Sequence, residues 1–303
     1  MKPILHTSLL LIFLLIGKWA CMAQNEYKEI SNLAYLPAEK IAVDSLQRLN
    51  LIIPTEAEKP PLLVWIGAGA WSFVNRHQEM DFARMMGKEG IAVASVGHRL
   101  SKGAFAIKTR THGVKHPAHI QDVAAALKWL IDEADTYGYD TENIFIGGYS
   151  SGAHLAALLA TDHQYLKAEG LDEATISGIL PVGGTYDIVD YYSAFVNAKT
   201  QRNRDMADTH VKDVFGETEK DFKAASPVTY LKHLSVPMLL ISDRSLYRYT
   251  EVFEKALQEV DYQDYAIYHV FQKNHNELWE EISFEEHSLS RMLMINFIRQ
   301  YAS

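Results

Sequence analysis

Cysteine occurs once in 303 residues, at Cys21, so no disulfide forms within the chain and the fold must rest on its core. A membrane-spanning run is also missing. The apolar block Leu9–Ile16 is too short to cross a bilayer as a helix. Basic residues are outnumbered, with 29 Lys and Arg against 38 Asp and Glu, and the resulting charge of −9 argues against nucleic acid and other polyanionic partners. Internal repeats and low-complexity segments are absent. What is present, 48% hydrophobic and 22% charged residues, is the composition of an ordinary globular protein.

The N-terminus follows its own logic. Lys2 precedes the apolar block, and Cys21-Met22-Ala23 resembles an A-x-A-like processing site with cleavage before Gln24. Residues 1–23 are therefore expected to be a secretory signal, and the mature protein to be secreted or periplasmic. Removing them takes away Lys2 and Lys18 and no acid, which moves the charge from −9 to −11. A lipid anchor on Cys21 is the second reading, but Lys18 and Trp19 stand where that signal wants an aliphatic and a small residue.

From residue 24 to 303 the sequence predicts one α/β domain. Strand-like runs fall at Leu46–Ile53, Leu62–Ile66, Ile91–Val96, Asn143–Gly147, Ile176–Val182, Met238–Ile241 and Tyr265–Val270. Between them lie helical patterns, such as Ile120, Val123, Leu127, Leu130, Ile131 and Ala134, then Glu251–Val260 and a C-terminal helix through Leu289 and Ile298. Continuous apolar strands alternating with helices indicate a mostly parallel sheet covered on both faces. The polar segment Asn197–Lys223 breaks that rhythm. With Tyr191, Tyr192 and Phe195 before it, the stretch around residues 186–225 is either a small cap over the site or a solvated excursion.

The most informative motif is Gly148-Tyr149-Ser150-Ser151-Gly152, a G-x-S-x-G between a strand and the small-residue helix Ser151–Ala160. That setting makes a sharp turn and exposes the central hydroxyl as a nucleophile. Such a serine needs a base, an orienting acid and donors for an oxyanion, with serine, acid and histidine in that chain order. Of 13 histidines, His275 is best placed, in polar residues just past the last strand and ahead of the final helix. Two carboxylates compete for the acid. Asp243 ends the strand Met238–Ile241, and Asp187 follows Gly183-Gly184, where an Asp often caps a turn instead. Oxyanion donors are expected from the backbone N–H of Ser151 and from the small-residue loop Gly67-Ala68-Gly69-Ala70-Trp71. His112, His116 and His119 have spacings that suggest a metal, but Pro117 interrupts them and no carboxylate or cysteine completes a set. No metal or cofactor is expected.

At this point the chain resembles the α/β-hydrolase superfamily, in the carboxylesterase branch related to hormone-sensitive lipase, acetyl esterases and kynurenine formamidases. The resemblance runs from about Tyr35 to Ile298. It is carried by Val64–Trp71 at the position of the family's His-Gly-Gly-Gly-Trp loop, by His98-Arg99-Leu100-Ser101, by Pro117 with Asp122, Ala126 and Trp129, and by the elbow with His154-Leu155-Ala156. Ala225-Ser226-Pro227-Val228 and Asn274-His275 complete it. It implies an eight-stranded, mostly parallel sheet, and roles for Ser150, His275 and the N–H groups of Gly69, Ala70 and Ser151.

The chain departs from the pattern in three places. Gly67 replaces the loop histidine and alanines replace two loop glycines; His98 replaces a tyrosine; and Ser242-Asp243-Arg244-Ser245-Leu246 replaces the usual His-Gly-x-x-Asp. Asp243 fits as the acid only with that loop trimmed. The expected activity is that of an exported serine hydrolase cleaving a small-molecule or carbohydrate ester, such as a polysaccharide acetyl or feruloyl ester, through an acyl-enzyme on Ser150. A peptidase or formamidase on the same residues, or a non-catalytic binding protein derived from an esterase, are the alternatives.

Overall fold

The computed structural model describes residues 26–40, 46–103 and 112–302. The signal-sequence reading of residues 1–23, and the Cys21 anchor with it, lies outside the described residues.

Eight strands form one sheet. In chain order they are β1 (Tyr27–Ala34), β2 (Arg48–Pro54), β3 (Pro61–Ile66), β4 (Ala92–Val96), β5 (Asp140–Tyr149), β6 (Gly178–Val182), β7 (Met238–Asp243) and β8 (Tyr265–Val270). Their spatial order is β1-β2-β4-β3-β5-β6-β7-β8. β2 runs antiparallel to both β1 and β4, and every pair from β4 onward is parallel. This is the architecture that the resemblance implies.

The central strands β3, β4, β6 and β7 are largely apolar because both faces are covered, and strand alternation divides their side chains between two cores. Leu62, Val64 and Ile66 of β3 join Ile144 and Ile146 of β5 on one face, against helices Ala118–Asp132 and Ser151–Thr161. Leu63, Trp65 and Phe145 point the other way, toward helices Met80–Lys88, His275–Phe284 and Leu289–Tyr301.

The helix after the elbow is buried on every side, from Ser151 to Thr161. Small residues make this possible. A Cβ on Gly152 would sit 1.9 Å from the Ile66 carbonyl oxygen, and one on Gly148 would sit 2.5 Å from the Gly152 carbonyl carbon. The two motif glycines are thus required by close backbone approach at the strand ends. Among the described residues no helix is long and apolar enough to cross a membrane.

Residues 186–225 hold short helical pieces, beginning with Ile188–Val196 and Gln201–Met206. Tyr191, Phe195, Met206 and His210 of this segment line the cavity over the elbow, so this part of it acts as a cap.

Candidate active site

The site assembles at the carboxyl ends of the parallel strands, where sheets of this kind leave a crevice. A cavity of about 720 Å³ there is lined by Ser150 and His275 together with Gly69 and Ala70. Ser150 follows β5 directly and adopts φ 58°, ψ −114°, a conformation costing a non-glycine residue on the order of 1–3 kcal/mol. Its backbone N–H donates to the Val182 carbonyl at 2.8 Å, tying the bend to the end of β6. Ser150 is half-buried, so its hydroxyl is not sealed in the interior.

His275 is the first residue of helix His275–Phe284, not the loop residue expected from sequence. Asn274 caps that helix in a reciprocal capping box with Glu277. The imidazole Nδ1–H donates to Asp243 Oδ2 at 2.7 Å. Asp243 is buried at the end of β7, and its Oδ1 accepts from the N–H groups of Ser245 (2.7 Å) and Leu246 (3.1 Å). Both carboxylate oxygens are therefore satisfied by donors that fix its orientation. Tyr149 stacks on the His275 ring at 4.8 Å and 19°, and its hydroxyl donates to the His275 carbonyl. Burial, reinforced by Asp243, pushes the Tyr149 phenol well above its ordinary range, so it remains a donor. Gly183 closes the pair from below. A Cβ at that position would lie 2.9 Å from Asp243 Oδ2 and 3.2 Å from the His275 ring, at φ +58°.

Asp187 is elsewhere. Its Oδ1 accepts from the N–H groups of Val189 (2.9 Å) and Asp190 (3.1 Å) as the cap of helix Ile188–Val196. Asp187→Ala is therefore expected to lower stability by about 1 kcal/mol in urea unfolding while leaving ester turnover within twofold.

The loop after β3 carries three consecutive residues with positive φ, namely Gly69 (146°), Ala70 (44°) and Trp71 (58°). The Gly69 carbonyl accepts from Ser72 and Phe73 N–H, both at 2.9 Å, which closes the turn. Gly69 and Ala70 line the cavity, and among the described residues neither donates its N–H to a protein acceptor. The same holds for Ser151 at the start of the elbow helix.

Trp71 is anchored from behind. Its indole N–H donates to His154 Nδ1 at 3.2 Å, and His154 Nε2–H donates to the Ala225 carbonyl at 2.7 Å. Full burial lowers the His154 pKa to about 3, keeping the ring neutral so that one nitrogen accepts while the other donates. His154 thus ties the β3 loop to the approach of β7.

The three spaced histidines are not brought together. His119 Nε2 pairs with Ser101 Oγ at 2.8 Å and His116 Nε2 with Tyr165 Oη at 3.2 Å. No group of three metal-ligating side chains occurs among the described residues.

Sequence reasoning missed Glu79, a buried carboxyl that lines the cavity behind the β3 loop. Nothing local marks a single acid ahead of a helix as special. It also missed the contact of Gly183 with the Asp243–His275 pair, for which the Gly-Gly turn was the only signal.

Residues 49–245 match the BD-FAE family model. Gut esterase 1 of Caenorhabditis elegans is 36% identical over 107 residues, covering 35% of this chain and 19% of that protein. Esterase LipQ of Mycobacterium tuberculosis is 25% identical over 220 residues, 70% of this chain and 48% of its own length. The chain thus spans less than half of either relative. Among solved structures, an inhibited esterase B from Lactobacillus rhamnosis superposes with a TM-score of 0.74 at 19% identity, covering 92% of this chain and 87% of that one. A truncated carbohydrate esterase from gut microbiota gives 0.71 at 19% identity, covering 92% and 98%. With two thirds of its length matched by the family model and its sheet shared with these esterases, the chain belongs to the BD-FAE family, within the carboxylesterase branch of the α/β-hydrolases.

Proposed function

We propose that this protein is a serine hydrolase of carboxylic esters that works through an acyl-enzyme on Ser150. One observation carries the reading: Ser150, on its strained bend, shares a cavity with a histidine whose Nδ1–H is already committed to a buried carboxylate.

That hydrogen bond leaves Nε2 of His275 as the acceptor for the Ser150 proton. The Ser150 oxygen attacks the acyl carbon as the imidazole takes the proton. Charge that develops on the carbonyl oxygen is met by the N–H groups of Gly69, Ala70 and Ser151, each without a protein acceptor of its own. Asp243 stabilises the imidazolium, which returns the proton to the departing alkoxide. Water then repeats the sequence on the acyl-enzyme.

Among the described residues no lysine or arginine lines the cavity, while Trp71, Phe73, Tyr191, Phe195, Tyr249 and Trp279 give it aromatic walls. These faces support an uncharged ester, and acylated carbohydrate is the substrate class we favour, with acetyl or feruloyl groups as the acyl part. The pattern of residues 1–23 supports export to the periplasm or the medium.

A short p-nitrophenyl ester and an aminoacyl-p-nitroanilide, compared at equal concentration, test the reaction class. The ester is expected to be cleaved at least roughly 100-fold faster, because p-nitrophenolate leaves more readily than the aniline nitrogen. Preference for the anilide would make this a peptidase.

A further inference from the structure

Glu79 sits in the residue position that precedes helix Met80–Lys88, yet its side chain makes no capping bond to that helix. It turns inward instead and is 2% exposed. Its Oε2 accepts from the indole N–H of Trp65 on β3 at 2.9 Å. The Ala68 N–H and the Trp279 indole N–H also face the carboxyl and favour its charged form. Ala68 stands next to Gly69 in the loop that supplies the oxyanion donors, and Trp279 lies one turn beyond His275 on the same helix. One carboxyl group therefore lies where the strand, the loop and the helix that carry the two halves of the site converge.

The loop sequence accommodates it. A Cβ on Gly67 would fall 2.8 Å from Glu79 Oε1, so the glycine standing where relatives carry a loop histidine leaves the carboxyl its space. Among the described residues no guanidinium or ammonium pairs with Glu79. From β5 it is faced by Tyr149, which senses its charge, and from the helix of Trp279 by His275 and Glu280, which share the cavity. β3 offers only the Trp65 indole. An ionised Glu79 would be a buried, uncompensated charge beside the place where a second negative charge must develop.

Building on the esterase reading, we propose that Glu79 is a positioning residue: it braces the Gly67–Trp71 loop against β3 and the His275 helix, and its ionisation switches the site toward a less active state. Desolvation, only partly offset by the N–H groups that face the carboxyl, gives a reason for titration in the working range, raising it from 4.5 to about 7. The sign follows directly. Below that value the acid is neutral and opposes nothing; above it the anion disfavours the oxyanion and kcat falls.

The test is the pH dependence of kcat for a short ester, in the wild type and in Glu79→Gln, which imitates the neutral acid. The wild type is expected to lose activity by roughly threefold or more as the pH rises from 6.5 to 8.5, and Glu79→Gln to lose this fall while matching the wild type at low pH. Glu79→Ala is expected to lower kcat by about 10²-fold at every pH with little change in KM, because the loop loses its tether. A wild-type profile that is flat above pH 7, or a fall retained in Glu79→Gln, overturns the proposal. Should Glu79→Gln not fold, the carboxyl carbon of Glu79 followed by NMR in the wild type decides: titration near 4.5 overturns the proposal, and titration near 7 together with the fall in kcat supports it. Fluorophosphonate labelling of the wild type runs alongside. No labelling defeats the esterase reading and this proposal with it, whereas labelling with a flat profile defeats only the role of Glu79.

Discussion

Replacing Ser150 by alanine is expected to lower kcat for a short p-nitrophenyl ester by roughly 10⁶-fold, with KM changed only a few-fold. Alanine keeps the β-carbon and leaves the backbone bond from residue 150 to Val182, so the bend and the cavity persist. What disappears is the oxygen that would form the proposed acyl-enzyme. The loss is not total, because the loop donors and substrate binding still favour the tetrahedral state, and a residual 10³-fold or so over water is expected. Steady-state kinetics on variant protein with an unchanged circular dichroism spectrum measures this. A drop of only tenfold would mean that a different nucleophile does the work.

Replacing Asp243 by asparagine is expected to cost about 10⁴-fold in kcat. The mechanism is tautomeric. As carboxylate, Asp243 accepts the Nδ1–H of His275 on one oxygen and two backbone N–H groups on the other. In asparagine the backbone donors hold the amide oxygen, which turns the NH₂ toward His275. The imidazole must then place its proton on Nε2, where it can no longer accept from Ser150. Since Asp187 is occupied as a helix cap, it cannot substitute. Turnover unchanged in Asp243→Asn would remove Asp243 from the mechanism and leave His275 without an orienting partner.

The parallel core of this fold is legible in the sequence because its strands are covered on both sides. β3, β4 and the Ile144–Ile146 part of β5 are dominated by Leu, Ile, Val, Ala and Phe in runs that a surface element would not carry. β1 was not anticipated, since Tyr27–Ala34 forms an edge and exposes much of its length, giving no apolar run. His275 was placed in a loop although Asn274 and Glu277 spell a capping box; the polar signature of a helix start is easily taken for a turn.

The site was legible where the chemistry is local. Gly148 to Gly152 fix their own bend, so Ser150 could be located from five residues. The acid could be narrowed to Asp243 ahead of Asp187 and no further, because it depends on the length of the loop after β7. That strand runs to Asp243 itself, and the side chain reaches His275 without the longer excursion typical of the family. Glu79 was invisible for a related reason: its partners Trp65, Ala68 and Trp279 meet only in the folded molecule.

The most direct test of the whole account is peptide mapping of protein treated with a fluorophosphonate. A single adduct is expected on the peptide containing Ser150, absent in Ser150→Ala and slowed in Asp243→Asn. An adduct on another residue, or a folded protein that takes up none, would contradict the claim that this hydroxyl is activated by His275.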